Sequence, residues 1–223
     1  MIPRIAFDTL LLLSLWTVPA SGAELEAIVL PPAASSGGKP VMEALRQRQT
    51  IREIKTDPIP DAVLGDLLWA AFGINRPENG HRTAPSAMNS QEIDVYVARG
   101  DGLYLYEPKP HALKPVAATD LRRRTSGQAF GTNAPVTLIF VADLSRLDKA
   151  RAETRLIYAN FDAGCICQNV YLFCASEGLA TVVHDLDRGP LTTAMKLRPD
   201  QHIIMAQAVG WPQETRPTAS SGH

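Results

Sequence analysis

The chain has 223 residues, 45% of them hydrophobic and 20% charged, enough for one sizeable core and with no need of a second domain. A formal charge of −1 excludes a protein whose task is to neutralise a nucleic-acid backbone. Arg122, Arg123 and Arg124 are too few to alter that and read as a solvated turn of helix beside Asp120.

At the N-terminus, Arg4 precedes an apolar run over 10–18, and Pro19 and Ala20 lead into Ser21, Gly22 and Ala23. This is the pattern of a secretory signal cut after Ala23. Asp8 interrupts the apolar stretch short of the roughly 20 residues that a membrane span needs. Residues 1–23 are therefore expected to direct export, to a bacterial periplasm, with an uncleaved membrane anchor as the alternative. Residues 24–40, rich in Pro, Ala, Ser and Gly, read as a flexible linker. The folded domain is expected over 41–217, and the small, polar residues 218–223 as a disordered tail.

Within the domain, residues 41–48 form a short helix with Met42 and Leu45 on one face. Asp61 after Pro60 is a plausible N-cap for a helix carrying Val63, Leu64, Leu67 and Leu68 and stopping near Gly73. Ile93, Val95 and Val97 alternate with polar neighbours as in a strand with one buried face. Gly100, Asp101 and Gly102 then turn the chain into 103–106, completing a hairpin. Residues 136–141 read as a central strand. The segment 154–177 is helical and apolar on nearly all sides, which places it in a large core or at a subunit interface. Residues 203–209 form a last strand. Such a mixture indicates an α+β domain.

No metal site or disulfide framework is visible. Cys165 and Cys167 point to different faces of their helix, Cys174 lies about two turns further on, and His81, His111 and His202 show no ligand spacing. Two segments carry chemistry instead. In Arg48-Gln49-Thr50-Ile51-Arg52, two guanidiniums and a hydroxyl project from one side of an extended chain and suit a phosphate monoester. Surface arginines after a helix are the alternative. In Arg82-Thr83-Ala84-Pro85-Ser86-Ala87-Met88-Asn89-Ser90-Gln91, small side chains admit a planar ligand while Asn89 and Gln91 offer donors and acceptors. An ordinary helix-capping loop is the alternative there.

Together these segments resemble the nitroreductase family of FMN enzymes. Its first signature is a basic residue, any residue, Ser or Thr, any residue, and a second basic residue. Its second is Pro-Ser-x-x-Asn-x-Gln, some forty residues later. The likeness continues through Ala134-Pro135, Asp162-Ala163-Gly164 with Gln168-Asn169, Gly178-Leu179, and Val209-Gly210-Trp211-Pro212 with Arg216. The spacing is more similar to the peptide-azoline dehydrogenase branch than to the nitro-compound reductases. The resemblance implies a nitroreductase-like fold, a central mixed sheet flanked by helices, assembled as a homodimer with an FMN in each of two interfacial sites. Arg48, Thr50 and Arg52 then match positions at the phosphate and the flavin N1/O2 edge. Pro85, Ser86, Asn89 and Gln91 match the loop bordering the ring, and Arg216 a basic position that reaches the phosphate.

One segment departs from the pattern. The family has glycine in the loop that meets flavin N5, whereas this chain has Val183-His184-Asp185-Leu186. His184 and Asp185 are the expected catalytic groups, as a proton-handling pair, with a loop histidine beside a capping aspartate as the alternative. The implied activity is ping-pong electron transfer from a reduced donor such as NAD(P)H to a nitroaromatic, quinone or other conjugated acceptor. A flavin-dependent dehydrogenase or oxidase using oxygen, and a non-catalytic flavin-binding protein, are the competing readings.

Overall fold

The computed structural model describes residues 25–214. The expected signal segment, the expected tail and Arg216 lie outside the described residues. No described helix is long and apolar enough to cross a membrane.

Strand β7 (Val136–Asp143) is buried at all eight positions. Its side chains alternate between two cores, with Val136, Leu138, Phe140 and Ala142 on one face and Ile139 and Val141 on the other. This is the two-sided burial expected of a central strand. Beside it run β4 (Ile93–Ala98) and β9 (Gln201–Gly210). Outward from β4 come β5 (Leu103–Glu107), β6 (Ala112–Ala117) and the two-residue β1 (Ile28–Val29), while β8 (Ala180–His184) closes the other edge; β2 (Ile74–Arg76) and β3 (His81–Arg82) pair apart from it. Every pairing in this seven-stranded sheet is antiparallel, where a mixed sheet was expected. The reason is the connection after β7. Helix α5 (Ala152–Glu177) carries the chain to β8 at the far edge, so β9 returns between them and is antiparallel to both neighbours.

One face of the sheet is covered by α2 (Asp61–Phe72) and α5, whose Leu64, Leu67, Leu68, Ala163, Ile166 and Val170 fill the larger core. Helix α1 (Val41–Gln47) lies against α5. The opposite face packs against α3 (Arg122–Thr125) and α6 (Arg188–Ala194) through Leu121, Leu186, Leu191 and Met195. Helix α5 ends at Gly178, whose φ of 74° is the left-handed conformation that a glycine adopts at lowest cost. Helix α2 begins at Asp61 with Pro60 as its N-cap, one residue earlier than the capping argument placed it, and Asp61 pairs with Arg99.

The segment read as a linker is a strap bound to the domain. Leu30 is buried in the core and its amide donates to His111 O. Ala34 N donates to Asp66, and Lys39 N donates to Ser176 Oγ near the end of α5. Cys167 and Cys174 are buried and all three cysteines are free, as the helical spacing required. Burial pushes the Cys167 thiol up to about 12.

Candidate active site

The basic segment begins at Arg48, which closes α1 by donating its amide to Ala44 O. The chain then runs extended across the sheet end. Ile51 N donates to Thr181 O, and Ile54 bridges to Pro212 and is buried. Gly210 is required at this crossing, because a Cβ there would stand 2.5 Å from Ile54 Cγ2 and 2.6 Å from Pro135 Cδ. The hub is Tyr171 of α5. Its hydroxyl lies 3.0 Å from Thr50 Oγ1 and accepts a 3.0 Å bond from Val183 N, and the Arg48 guanidinium sits 5.3 Å from its ring centroid. Arg52 is exposed. Beside Arg48 opens a cavity of about 590 Å3, lined by Lys39, Arg46, Arg48, Ile51, Leu179 and Pro212 among others, with no carboxylate in its wall. The Lys39 ammonium is aimed there by Gln47 Oε1 at 2.6 Å and Ala175 O at 3.1 Å.

The second segment is a 3₁₀ turn over Ala87–Asn89 with an unusual backbone. Met88, Asn89 and Gln91 all have φ between 47° and 55°, a left-handed conformation that costs a non-glycine residue roughly 1 kcal/mol or more. Dense internal bonding holds it. Gln91 N donates to Ser86 Oγ at 2.7 Å, and Ala87 N donates to Asp162 of α5 at 2.7 Å. The Gln91 amide is spent on bracing: its oxygen accepts from Arg82 Nε, and its nitrogen donates to Gly80 O and Asn89 Oδ1. Ser86 and Ser90 both point their hydroxyls at Glu92 Oε2. Pro85 and Asn89 remain exposed. Of the motif residues, then, two brace the loop and two face outward.

At the end of β8 the side chains of His184 and Asp185 are not paired with each other. The Asp185 carboxylate is bound by Arg188 at 2.8 Å. The buried His184 ring packs on Phe130, 5.0 Å between centroids, and its Nδ1 lies 3.1 Å from Asp185 O. A carbonyl only accepts, so Nδ1 carries the hydrogen and Nε2 presents a lone pair. That Nε2 is buried with no partner among the described residues. Burial pushes the imidazole below its usual range.

The two motif segments do not meet within one chain. Asp162, under the Pro85 loop, and Tyr171, under the basic segment, are nine residues apart on α5, which is ~14 Å of helix and half a rotation. They flank opposite sides of the same helix. Between them α5 exposes Ile157, Phe161, Gly164 and Gln168 in one stripe, and Phe161 is 74% exposed. Met42 and Leu45 of α1 are exposed as well. Sequence reasoning missed Tyr171, Lys39 and Glu92 as members of these clusters, and placed Arg82 in the second segment without a role.

The nitroreductase family model matches residues 45–211. A solved structure of a nitroreductase-type protein from Ralstonia eutropha JMP134 superposes with a TM-score of 0.82 at 38% identity, covering 96% of this chain and all of that one. A nitroreductase-type protein of Methanocaldococcus jannaschii is 30% identical over 150 residues, 63% of this chain and 75% of its own. A chain of the E. coli microcin synthetase McbBCD complex shares the fold, with a TM-score of 0.67 at 21% identity over 89% of this chain and 84% of that one. The chain belongs to the nitroreductase family.

Proposed function

We propose that the protein is an FMN-dependent oxidoreductase that works as a homodimer, passing electrons from a reduced donor such as NAD(P)H to a nitroaromatic, quinone or other conjugated acceptor. The observation that carries this reading is the carboxylate-free cavity beside Arg48, which also presents Lys39 and Arg46. Three cations with no competing anion suit a phosphate monoester, and about 590 Å3 lies within the range of cofactor clefts. Bound FMN supplies the two-electron chemistry; the protein supplies anchoring, orientation and electrostatics.

In this reading Arg48 and Arg52 hold the phosphate end, with Arg216 as a further basic group. Tyr171 fixes Thr50 and the Arg48 guanidinium against α5, so little side-chain freedom remains to be lost on binding. Pro85 and Asn89 border the ring, and Ser86 and Gln91 keep their loop in its left-handed form. His184 is the candidate proton acceptor through Nε2, while Asp185, committed to Arg188, is an orienting neighbour through its carbonyl.

The opposite placement of the two motif segments about α5 supports the dimer of this reading. A second copy docked on the Ile157, Phe161 and Gly164 stripe brings its own loop towards the first copy's basic segment. A Cβ built on Gly164 meets nothing within 4 Å, leaving room for a close helix approach. Each large apolar side chain covered there contributes about 1.5–3 kcal/mol. Export through residues 1–23 belongs to the same proposal and is checked by N-terminal sequencing of the secreted protein.

The test is a stopped-flow experiment on the FMN-loaded protein. Bleaching of the flavin by NADPH or NADH, followed by reoxidation with a quinone or nitroaromatic, is the expected result. A flavin that no reductant bleaches contradicts the oxidoreductase assignment.

A further inference from the structure

Beneath the Pro85 loop lies a pair of acids that the proposed electron transfer does not use. Glu92, at the head of β4, is fully buried, and Asp162 of α5 is 5% exposed. Their carboxylates hold adjacent residues of the loop, Asp162 taking Ala87 N at 2.7 Å and Glu92 taking Ser86 Oγ at 3.1 Å, which brings the two acids face to face beneath it. An ionised carboxylate only accepts hydrogen bonds, so two of them in contact require a proton between them. Glu92 Oε1 receives no hydrogen bond from any other described donor and is free for that contact.

Among the described residues, the neighbouring arginines are committed elsewhere. Arg82 donates to Gln91 Oε1 and Phe72 O, Arg146 to Gln91 O and the Asp94 carboxylate, and Arg198 to Asp143. Cys165, one turn along α5, is a thiol pushed up by burial and by Asp162. Ser86 and Ser90 face Glu92 as neutral hydroxyls. The described residues contain no cluster of three or more metal-ligating side chains.

We propose that Glu92 and Asp162 share one proton and that this O–H···O contact is the positioning device for the flavin-bordering loop at 86–91. The proposal rests on the flavin reading of that loop. The mechanical link is direct: Asp162 holds Ala87 N, Glu92 holds the hydroxyls of Ser86 and Ser90, and the left-handed Met88 and Asn89 lie between these ties. Burial, with Glu92 opposite, pushes the Asp162 carboxyl up to about 6. Below that pH the contact is intact. Above it, two buried anions repel and the ties to the loop loosen. Glu92 and Asp162 are positioning residues that touch neither flavin nor substrate.

The experiment compares wild type, Glu92→Gln and Asp162→Asn at pH 5.0, 6.5 and 8.0. Each amide supplies a permanent N–H in place of the shared proton. FMN affinity is read from quenching of flavin fluorescence, and loop order from amide hydrogen exchange over 86–91 in the flavin-free protein. The phosphate of FMN itself titrates near pH ~6, equally for all three proteins, so the variant-to-wild-type ratio is the quantity read. The expected ratio is near one at pH 5.0 and rises about tenfold by pH 8.0, with loop exchange at pH 8.0 faster in wild type than in either variant. A ratio and an exchange rate that do not separate with pH overturn the proposal while leaving the flavin reading intact. Loop exchange that separates as expected in a protein that binds no FMN at any pH sustains the shared proton and removes the flavin.

Discussion

Tyr171 lies outside both sequence motifs, yet the basic segment is gathered around it. Its hydroxyl is tied to Thr50 and Val183, and its ring lies under Arg48. Tyr171→Phe deletes both hydrogen bonds and leaves Val183 N–H without that acceptor. A loss of about 1–3 kcal/mol in unfolding free energy is expected, measured by urea denaturation, together with weaker FMN binding. His184 makes a second prediction at this scale. Burial holds its imidazole below the usual range, so between that lowered value and about 6.5 the unfolded chain binds more protons than the folded one. Stability from this group is therefore present above pH 6.5 and lost as pH falls. Asp162 acts in the opposite sense, since its raised carboxyl costs stability as pH rises from about 4 towards about 6. His184→Gln removes the first contribution alone. The difference in thermal midpoint between pH 7.5 and pH 5.5 is expected to shrink in that variant, and an unchanged difference refutes the assignment. Arg48, Thr50, Ser86 and Gln91 were legible in the sequence as motif members, but their work was not. Gln91 reads as a flavin contact, yet its amide is consumed by Arg82, Gly80 and Asn89, which only the folded loop brings together.

Long periodic segments were legible at the scale of elements, and short ones were not. Residues 154–177 announced α5 because a run of that length leaves few alternatives, and the apolar run over 136–141 announced β7. Strand β6 was missed. It contains Pro115, which cannot donate to a ladder, and the sequence therefore argues against a strand. The contradiction resolves because β1 pairs only with Ala112 and Leu113, leaving the Pro115 stretch as an edge. Strand β1 itself lies in a Pro- and Ala-rich stretch, and its hydrogen bonds come from a partner more than eighty residues away. Helices α3, α4 (Ala129–Asn133) and α6 are too short to carry a period. A prediction belongs to the exposed stripe of α5. Phe161→Glu places a charge at the centre of the proposed interface without touching the core. Sedimentation is expected to show monomers with a native circular-dichroism spectrum, and an unaltered dimer refutes the stripe as the contact.

Across the whole molecule, the family, the α+β class and the two signature segments follow from one sequence, whereas the division of the site does not. Both motifs are local strings. That they flank opposite sides of α5 follows from the nine-residue offset between Asp162 and Tyr171, which acquires meaning only once Ala87 is seen on one and Thr50 on the other. The N-terminal strap was hidden for a related reason. Its composition is that of a linker, and its order derives from Leu30, Ala34 and Lys39 finding partners on the domain. Truncation before residue 40 removes these ties together with Lys39. Thermal unfolding is expected to show a lower midpoint for that truncation, and FMN titration a weaker affinity.

The central claim, a flavin site completed by two chains, is tested most directly by sedimentation velocity of the FMN-saturated protein, observed at about 450 nm, where oxidised flavin absorbs. All bound flavin is expected to sediment at twice the chain mass. The Arg48→Ala, Arg52→Ala double variant, which forfeits charge-assisted bonds of about 1.5–3 kcal/mol each, is expected to leave the flavin behind as free cofactor. Flavin sedimenting with a monomer, or held by the double variant as firmly as by wild type, contradicts that claim.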